Sequence, residues 1–412
     1  MSAPTVDATA AANAVNALRF TTAIRERAAA LLARARAGES THFTVDDAAL
    51  RSAARTVAEL TRQRFPDLRI PYHSRWRHFE AGHVNRVARL DALLGPVDAA
   101  ERARTQIDLA LVSVLLDAGA GADWGYREAD SKQTFSRSEG LGVASFHAFT
   151  AGLFSSDPAQ PLRVDAAGLA ALTAERLGEA FQVSERNPLV GLEGRTVVLR
   201  RLGLAMREHA DTYGPLGRPG ALFDALGRGP TLEAHDILGA LLATLSGIWP
   251  AHNAIGGIAL GDCWPHPAVQ GEGLTAGWMP FHKLSQWLTY SLLEPFEWAG
   301  VRVQGLDALT GLPEYRNGGL LIDAGVLHPL PADHAKRTWQ AGDAFIVEWR
   351  ALTVALLDEL APLVRAELGL SAANMPLACV LEGGTWAAGR LLALRLRGGL
   401  PPLNIASDGT VF

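Results

Sequence analysis

Apolar residues in this chain recur mostly at intervals of three and four, the spacing of one helix face, and the period-two alternation of half-buried strands is nearly absent. The pattern predicts helices over residues 23–37, 45–65, 99–116, 165–181, 194–209, 222–226, 232–248, 281–298 and 341–368, and one from about residue 80 to 94. Thr44 or Asp46 suits the cap of the second, Gly95-Pro96 stops the one before it, and Gly369 ends the last. Short extended pieces are expected at 301–303, 319–322 and 403–411. No internal repeat, low-complexity linker or charge block forces a boundary. Residues 21–412 therefore read as a single all-α domain behind an Ala-rich, weakly patterned and flexible tail, residues 1–20.

One stretch organises the rest. From Ile107 to Leu116 the chain is apolar nearly all round, so this helix should be central and buried. It breaks at a run holding Asp117, Gly119, Gly121, Asp123, Trp124, Gly125 and Tyr126, and resumes after Glu139-Gly140 as a second helix. The run reads either as a tight turn or as a pocket floor. Carboxylates delivered into an interior favour the floor, because they are costly there unless something pairs or uses them.

Composition narrows the function classes. Hydrophobic residues make up 48% of the chain, ample for a large core, and the net charge of -5 argues against a partner as basic-face-dependent as polymeric nucleic acid. Two cysteines, Cys263 and Cys379, make no disulfide framework, and the first residues show no secretory pattern, so a cytoplasmic protein is expected. Residues 237–261 hold no Asp, Glu, Lys or Arg, but Pro250, His252, Asn253 and a glycine cluster interrupt them; the apolar part has core-helix length, and no membrane span is expected.

Candidate chemistry is sparse. His78 and His83 are five apart, about 140° around a helix, so they do not share a metal-binding face. Asp262, Cys263 and His266 offer three ligand types in one turn, but no second half-site with metal spacing accompanies them. A nucleophile elbow, a phosphate loop and a dinucleotide fingerprint are all missing. What remains is polar residues in apolar surroundings. Lys283 stands at a helix start, with Trp287 four residues on; Glu314 precedes Tyr315 and Arg316; and Glu382 opens a Gly-rich entry to a helix. Each reads equally as a helix cap or a surface ion pair.

Two resemblances bear on these phrases. Through residues 72–79, 116–128, 136–144, 281–295, 309–325 and 401–404, over nearly its full length, the chain resembles the uracil-catabolism protein family, the fourth component of a pathway degrading uracil to urea. Several segments are also similar, in order, to the queuosine-salvage glycosylases, helical enzymes with a fold related to helix-hairpin DNA glycosylases. They are the apolar helix ending at Trp124-Gly125-Tyr126, the helix ending at Asp157-Pro158, residues 181–189, Lys283 with Gln286, and Leu309-Thr310 with Glu314-Tyr315-Arg316. The last phrase matches one that holds those enzymes' catalytic carboxylate, with Glu314 in place of Asp. Their aromatic-rich loop is here mostly Gly and Ala, with Trp124 and Tyr126 alone to stack on a planar base, which points to a smaller leaving group.

The resemblances imply an N-glycosidase acting on a small nucleoside or nucleotide, ribosylurea or its phosphate, without metal or redox cofactor. Glu314 would stabilise the oxocarbenium-like sugar, and Asp117, Asp123 or Glu139 would serve the leaving nitrogen. Lys283 and Arg316 would hold a phosphate, and Trp124, Tyr126, Tyr315, Trp287 and Glu382 would line the substrate site. A non-catalytic component of the pathway and a ureido or amide hydrolase using Cys263 and His266 are the rival readings, and homo-oligomerisation is left open.

Overall fold

The computed structural model describes residues 7–249 and 253–406. Pro250 and His252, residues 1–6 of the expected tail and residues 407–411 of the C-terminal extended piece lie outside them. The protein is mainly helical, with helix in 56% of the chain. The helices used below are α1 (Ala8–Arg19), α2 (Thr21–Arg36), α3 (Asp47–Arg64), α4 (Ala99–Leu115), α5 (Arg137–Thr150), α6 (Leu192–Glu208), α7 (Ala234–Leu245), α8 (Lys283–Trp298), α9 (Asn317–Asp323), α10 (Ala344–Leu368) and α11 (Trp386–Arg397). Strands form only two-stranded ribbons among the described residues.

Where one domain is expected, the contacts fall into two compact units, each woven from separate segments. Of the described residues, the first takes 7–73, 253–286 and 306–406; the second takes 74–249 and 287–305.

The first unit is built on α10, 25 residues long and buried on nearly every side. Against it pack α2, through Ile24, Ala28, Leu31, Leu32 and Ala35, and α3, through Leu50, Ala54, Val57 and Ala58, each an apolar stripe at helical spacing. Asp46 caps α3, accepting from the amides of Ala48 and Ala49 at 2.8 and 3.2 Å. The segment expected as a flexible tail contains α1, whose Ala11, Ala14, Val15 and Leu18 pack with Ile255, Leu260 and Cys263. Alanines give that stripe little contrast in a sequence, yet they bury well. Residues 319–322, expected as extended, lie inside α9. Its glycines override low helix propensity by fitting where nothing larger can: a Cβ on Gly318 would stand 2.4 Å from the Trp349 ring.

The second unit centres on α4, buried from Gln106 to Leu115 as its pattern predicts. Beside it lies α5, whose Gly142 admits the His78 backbone and Cβ. The expected helix 165–181 is two helices, Ala166–Ala170 and Ala174–Ala180, because Thr173 restarts the chain by capping the amide of Arg176. The charge-free run forms α7 and a short 3-10 turn ending at Ile248, too short to span a bilayer. Residues 377–397 are the one described stretch long and apolar enough for that, and two thirds of it is buried within the protein.

Two glycines give opposite expectations. A Cβ on Gly389 of α11 would meet the Arg316 carbonyl at 2.1 Å, so Gly389→Ala should destabilise by about 1–3 kcal/mol in denaturant melts. Gly239 of α7 faces open space, so Gly239→Ala should be neutral or stabilise by up to about 1 kcal/mol.

Candidate functional site

Within the first unit, Glu314 is buried in the turn that leads into α9. Its two carboxylate oxygens accept from the backbone amides of Arg316 and Asn317 at 2.7 and 2.6 Å, so the group is fixed in place. Burial raises its pKa; the two amides, and the charges of Lys283 and His73, offset only part of that. The Arg316 guanidinium turns away toward the Gly399 carbonyl, 3.3 Å from Nη1, and lies over the ring of Tyr315.

Lys283 owes its place to Asp262. The Asp262 carboxylate accepts from the Lys283 amide at 3.0 Å and takes both ends of the Arg350 guanidinium at 2.8 and 2.7 Å. Burial opposes that charge, but Arg350 holds the carboxyl far below its ordinary range. One residue earlier, His282 adopts φ +50 and is tied to the Leu18 carbonyl at 3.0 Å. Gln286 and Thr310 exchange two hydrogen bonds, 2.8 and 3.1 Å, which join the Lys283 phrase to the Glu314 phrase.

Glu382 lies on a π-helical turn, Leu381–Thr385, where Gly383 and Gly384 let α3 approach closely. It bonds His73 Nδ1 at 2.9 Å and Arg64 at 2.9 Å. Burial would raise its pKa, yet His73 and Arg64 bring it below the usual carboxylate value. His73 thus stands between Glu382, which orients it, and Glu314, whose charge it favours.

The second unit has its own polar cluster. Arg75, wholly buried, bonds Ser113 at 2.6 Å, the Ser138 carbonyl at 3.2 Å and Asp117 at 2.9 Å, and lies over the Trp287 ring. Its Nη2 has no hydrogen-bond partner among the described residues. Burial lowers its pKa against the pull of Asp117 and Glu139, which is half-buried in the first turn of α5. Nothing in the spacing of Arg75 or His73 marks them out. The signal lies in the density of polar and aromatic residues from Pro71 to Phe79.

The loop after α4 is placed differently from Asp117. Arg195 bonds the carbonyls of Leu116, Ala118 and Gly119, so a cation from α6 occupies the helix end. Asp123 is exposed. Trp124 is a core residue, stacked on Phe181 and bonded to its carbonyl at 3.0 Å. Tyr126, in the ribbon formed by Gly125–Arg127 and Thr134–Ser136, stacks on His147.

Residues 17–412 match a family described as Protein of unknown function (DUF1688). The chain is 40% identical over 401 residues to Protein urg3 of Schizosaccharomyces pombe, covering 94% of this chain and 96% of that one. It is 39% identical over 377 residues to Uracil catabolism protein 4 of Lachancea kluyveri, covering 83% and 85%. The chain belongs to the uracil catabolism protein 4 family.

In this family member, phrases far apart in sequence meet within each unit. Lys283, Glu314, His73 and Glu382 belong to the first; Arg75, Asp117, Glu139 and Trp287 belong to the second. Near Tyr126, Glu128 is buried among Arg86, His147 and Ser131, at 2.5, 2.7 and 2.6 Å. Burial would raise its pKa, but those hydrogen bonds and the Arg86 charge bring it from 4.5 to about 2. A carboxylate depressed by folding stabilises above its unfolded pKa and loses that contribution as pH falls toward the folded one. Wild-type stability should therefore drop between about pH 4.5 and 2. Glu128→Gln should be less stable at neutral pH, with a shallower loss in that window, as read by urea melts across pH.

Proposed function

We propose that this protein is a hydrolase of uracil catabolism that cleaves the N-ribosidic bond of a ring-opened uracil nucleoside or its phosphate, ribosylurea or ribosylurea phosphate, to urea and ribose or ribose phosphate. The name of one relative, Uracil catabolism protein 4, supplies the pathway. The resemblance to queuosine-salvage glycosylases supplies the reaction class and a helix-hairpin glycosylase type of fold, with which a mainly helical architecture is compatible. The observation that carries the reading is Glu314: a buried carboxylate, immobilised by two backbone amides, with a lysine and a histidine close enough to favour its charge.

In this reaction the bond between the anomeric carbon and nitrogen breaks, its electron pair leaves with the nitrogen, and water adds to the carbon. Positive charge develops on the sugar only in the transition state. A fixed carboxylate in a dry site stabilises that charge without having to reorganise. In this reading His73, held at Nδ1 by Glu382, carries a proton between water and the leaving nitrogen. Lys283, part-buried at the start of α8, supplies the charge a phosphate requires. Asp117 and Glu139, expected from the sequence to serve the leaving nitrogen, belong to the second unit, with Arg75. The exposed Asp123 and the core position of Trp124 give neither a direct part in this reading.

A second reading rests on the same two hydrogen bonds. Glu314 accepts from the amides that open α9, which is what a purely structural cap does. Substitution separates the two. Glu314→Gln should lower kcat by roughly two to four powers of ten with KM little changed, measured as urea and reducing sugar released from ribosylurea and its phosphate. Near-normal turnover with a lowered melting temperature would assign Glu314 to the cap alone. Lys283→Ala should impair the phosphate more than the unphosphorylated compound; equal effects would remove its phosphate role.

A further inference from the structure

The turn holding Asp262, Cys263 and His266 does not act as one ligand set. Asp262 is committed to Arg350, and the Cys263 thiol is buried, with burial pushing its pKa well up. His266 points elsewhere, toward two residues from distant segments of the same unit. His42 lies just before the strand Phe43–Val45, and Glu348 lies in the first turns of α10. One ligand atom from each of the three lies within 4.8 Å of the other two, and His266 Nε2 stands 3.4 Å from Glu348 Oε2. We infer that His42, His266 and Glu348 bind a divalent transition metal of the zinc class.

Three further observations support the site. His266 is 3% exposed, and its Nε2 has no hydrogen-bond partner among the described residues. The ring of His42 makes no hydrogen bond there either, and it meets the His266 ring edge-on, with centroids 6.4 Å apart. A buried polar atom left without a partner is the exception in folded proteins and calls for a ligand. Second, Glu348 is oriented from behind. Ser40 donates to its Oε1 while accepting from the amides of His42 and Phe43 at 3.0 and 3.1 Å, which leaves Oε2 facing His266. Third, the three side chains line a cavity of about 330 Å³, together with Arg34, Thr41 and Gln270, so a fourth position is open to water.

Two imidazoles and one carboxylate suit zinc or another borderline ion, whereas calcium and magnesium require oxygen ligands. Donors at about 2.0–2.1 Å in a tetrahedron stand about 3.4 Å apart, so closure takes side-chain adjustments of about an ångström. His266 Nδ1 accepts weakly from the Ala268 amide at 3.3 Å, which places the proton on Nε2 in the metal-free protein. Binding at Nε2 moves that proton to Nδ1 and gives up the weak bond. The site is independent of the N-ribosidase reading.

The test uses the full chain, stripped with chelator and titrated with Zn²⁺ by calorimetry and with Co²⁺ by visible absorption. Wild type should take one equivalent of either ion. His42→Ala and Glu348→Gln should each weaken binding by about 100-fold or more, Cys263→Ala should leave it unchanged, and Zn²⁺ should raise the Tm of wild type but not of His42→Ala. If Glu348→Gln does not fold, the half-exposed His42→Ala, checked by circular dichroism, decides alone. Absence of stoichiometric binding to wild type, or full-strength binding by His42→Ala, would overturn the site and leave His266 and Glu348 as a simple polar pair.

Discussion

Arg350 enters the core from the middle of a helix buried on nearly every side, where a guanidinium has no water to bond. Asp262 supplies both of its hydrogen-bonding ends, and the same carboxylate accepts from the amide of Lys283 and the indole of Trp264. One side chain therefore neutralises a buried cation, anchors a ribbon and starts the helix that carries Lys283. Removing either partner of such a pair strands the other charge in a dry interior, which costs about 3–5 kcal/mol in comparable cases. The left-handed φ at His282 persists under this constraint, since the chain must turn sharply from the ribbon into α8. Lys283 is thus positioned by Asp262 and, through it, by Arg350.

At Glu314 structural and chemical demands coincide. A carboxylate bound to two amides is rigid, and in the proposed reaction rigidity is what a group facing a developing charge requires. Burial pulls the same carboxylate toward its neutral form, and the amides of Arg316 and Asn317, followed by Lys283 and His73, offset that only in part. His73 in turn is held by Glu382, whose own charge depends on Arg64. Glu382, His73 and Arg64 thus form one hydrogen-bonded group within the first unit.

The helical class and most helix boundaries were legible because apolar periodicity survives in the long elements, as in 99–116 and 341–368. Where it failed, tertiary contacts decided: α1 buries alanines that carry little pattern, and α9 is helical because its glycines fit against Trp349 and Pro402. Glu314 and Lys283 were singled out by phrases resembling known families, and Glu382 by its Gly-rich entry to a helix, since carboxylates and lysines in apolar runs are conspicuous. His73 and Arg75 were not, because their partners, Glu382 and Asp117, lie 309 and 42 positions away and no local spacing records them. The same limit hides His42 and Glu348 from His266. In the loop after α4, the carboxylates suggested a pocket floor; nothing in the local pattern signals that Arg195, 76 to 79 residues further on, takes the carbonyls of Leu116, Ala118 and Gly119.

The first unit is assembled from both ends of the chain: α2 and α3 lie against α10, about three hundred residues away. During synthesis those helices emerge early and must wait, with their apolar stripes uncovered, until the last hundred residues arrive. The second unit draws chiefly on one continuous stretch, residues 74–249, and is available sooner. Non-local pairing of this kind slows folding and prolongs the exposure of sticky surface. A chain truncated before residue 344 would thus leave its earliest helices without the partner they were shaped to meet, and chaperones rather than its own core would have to keep it from aggregating.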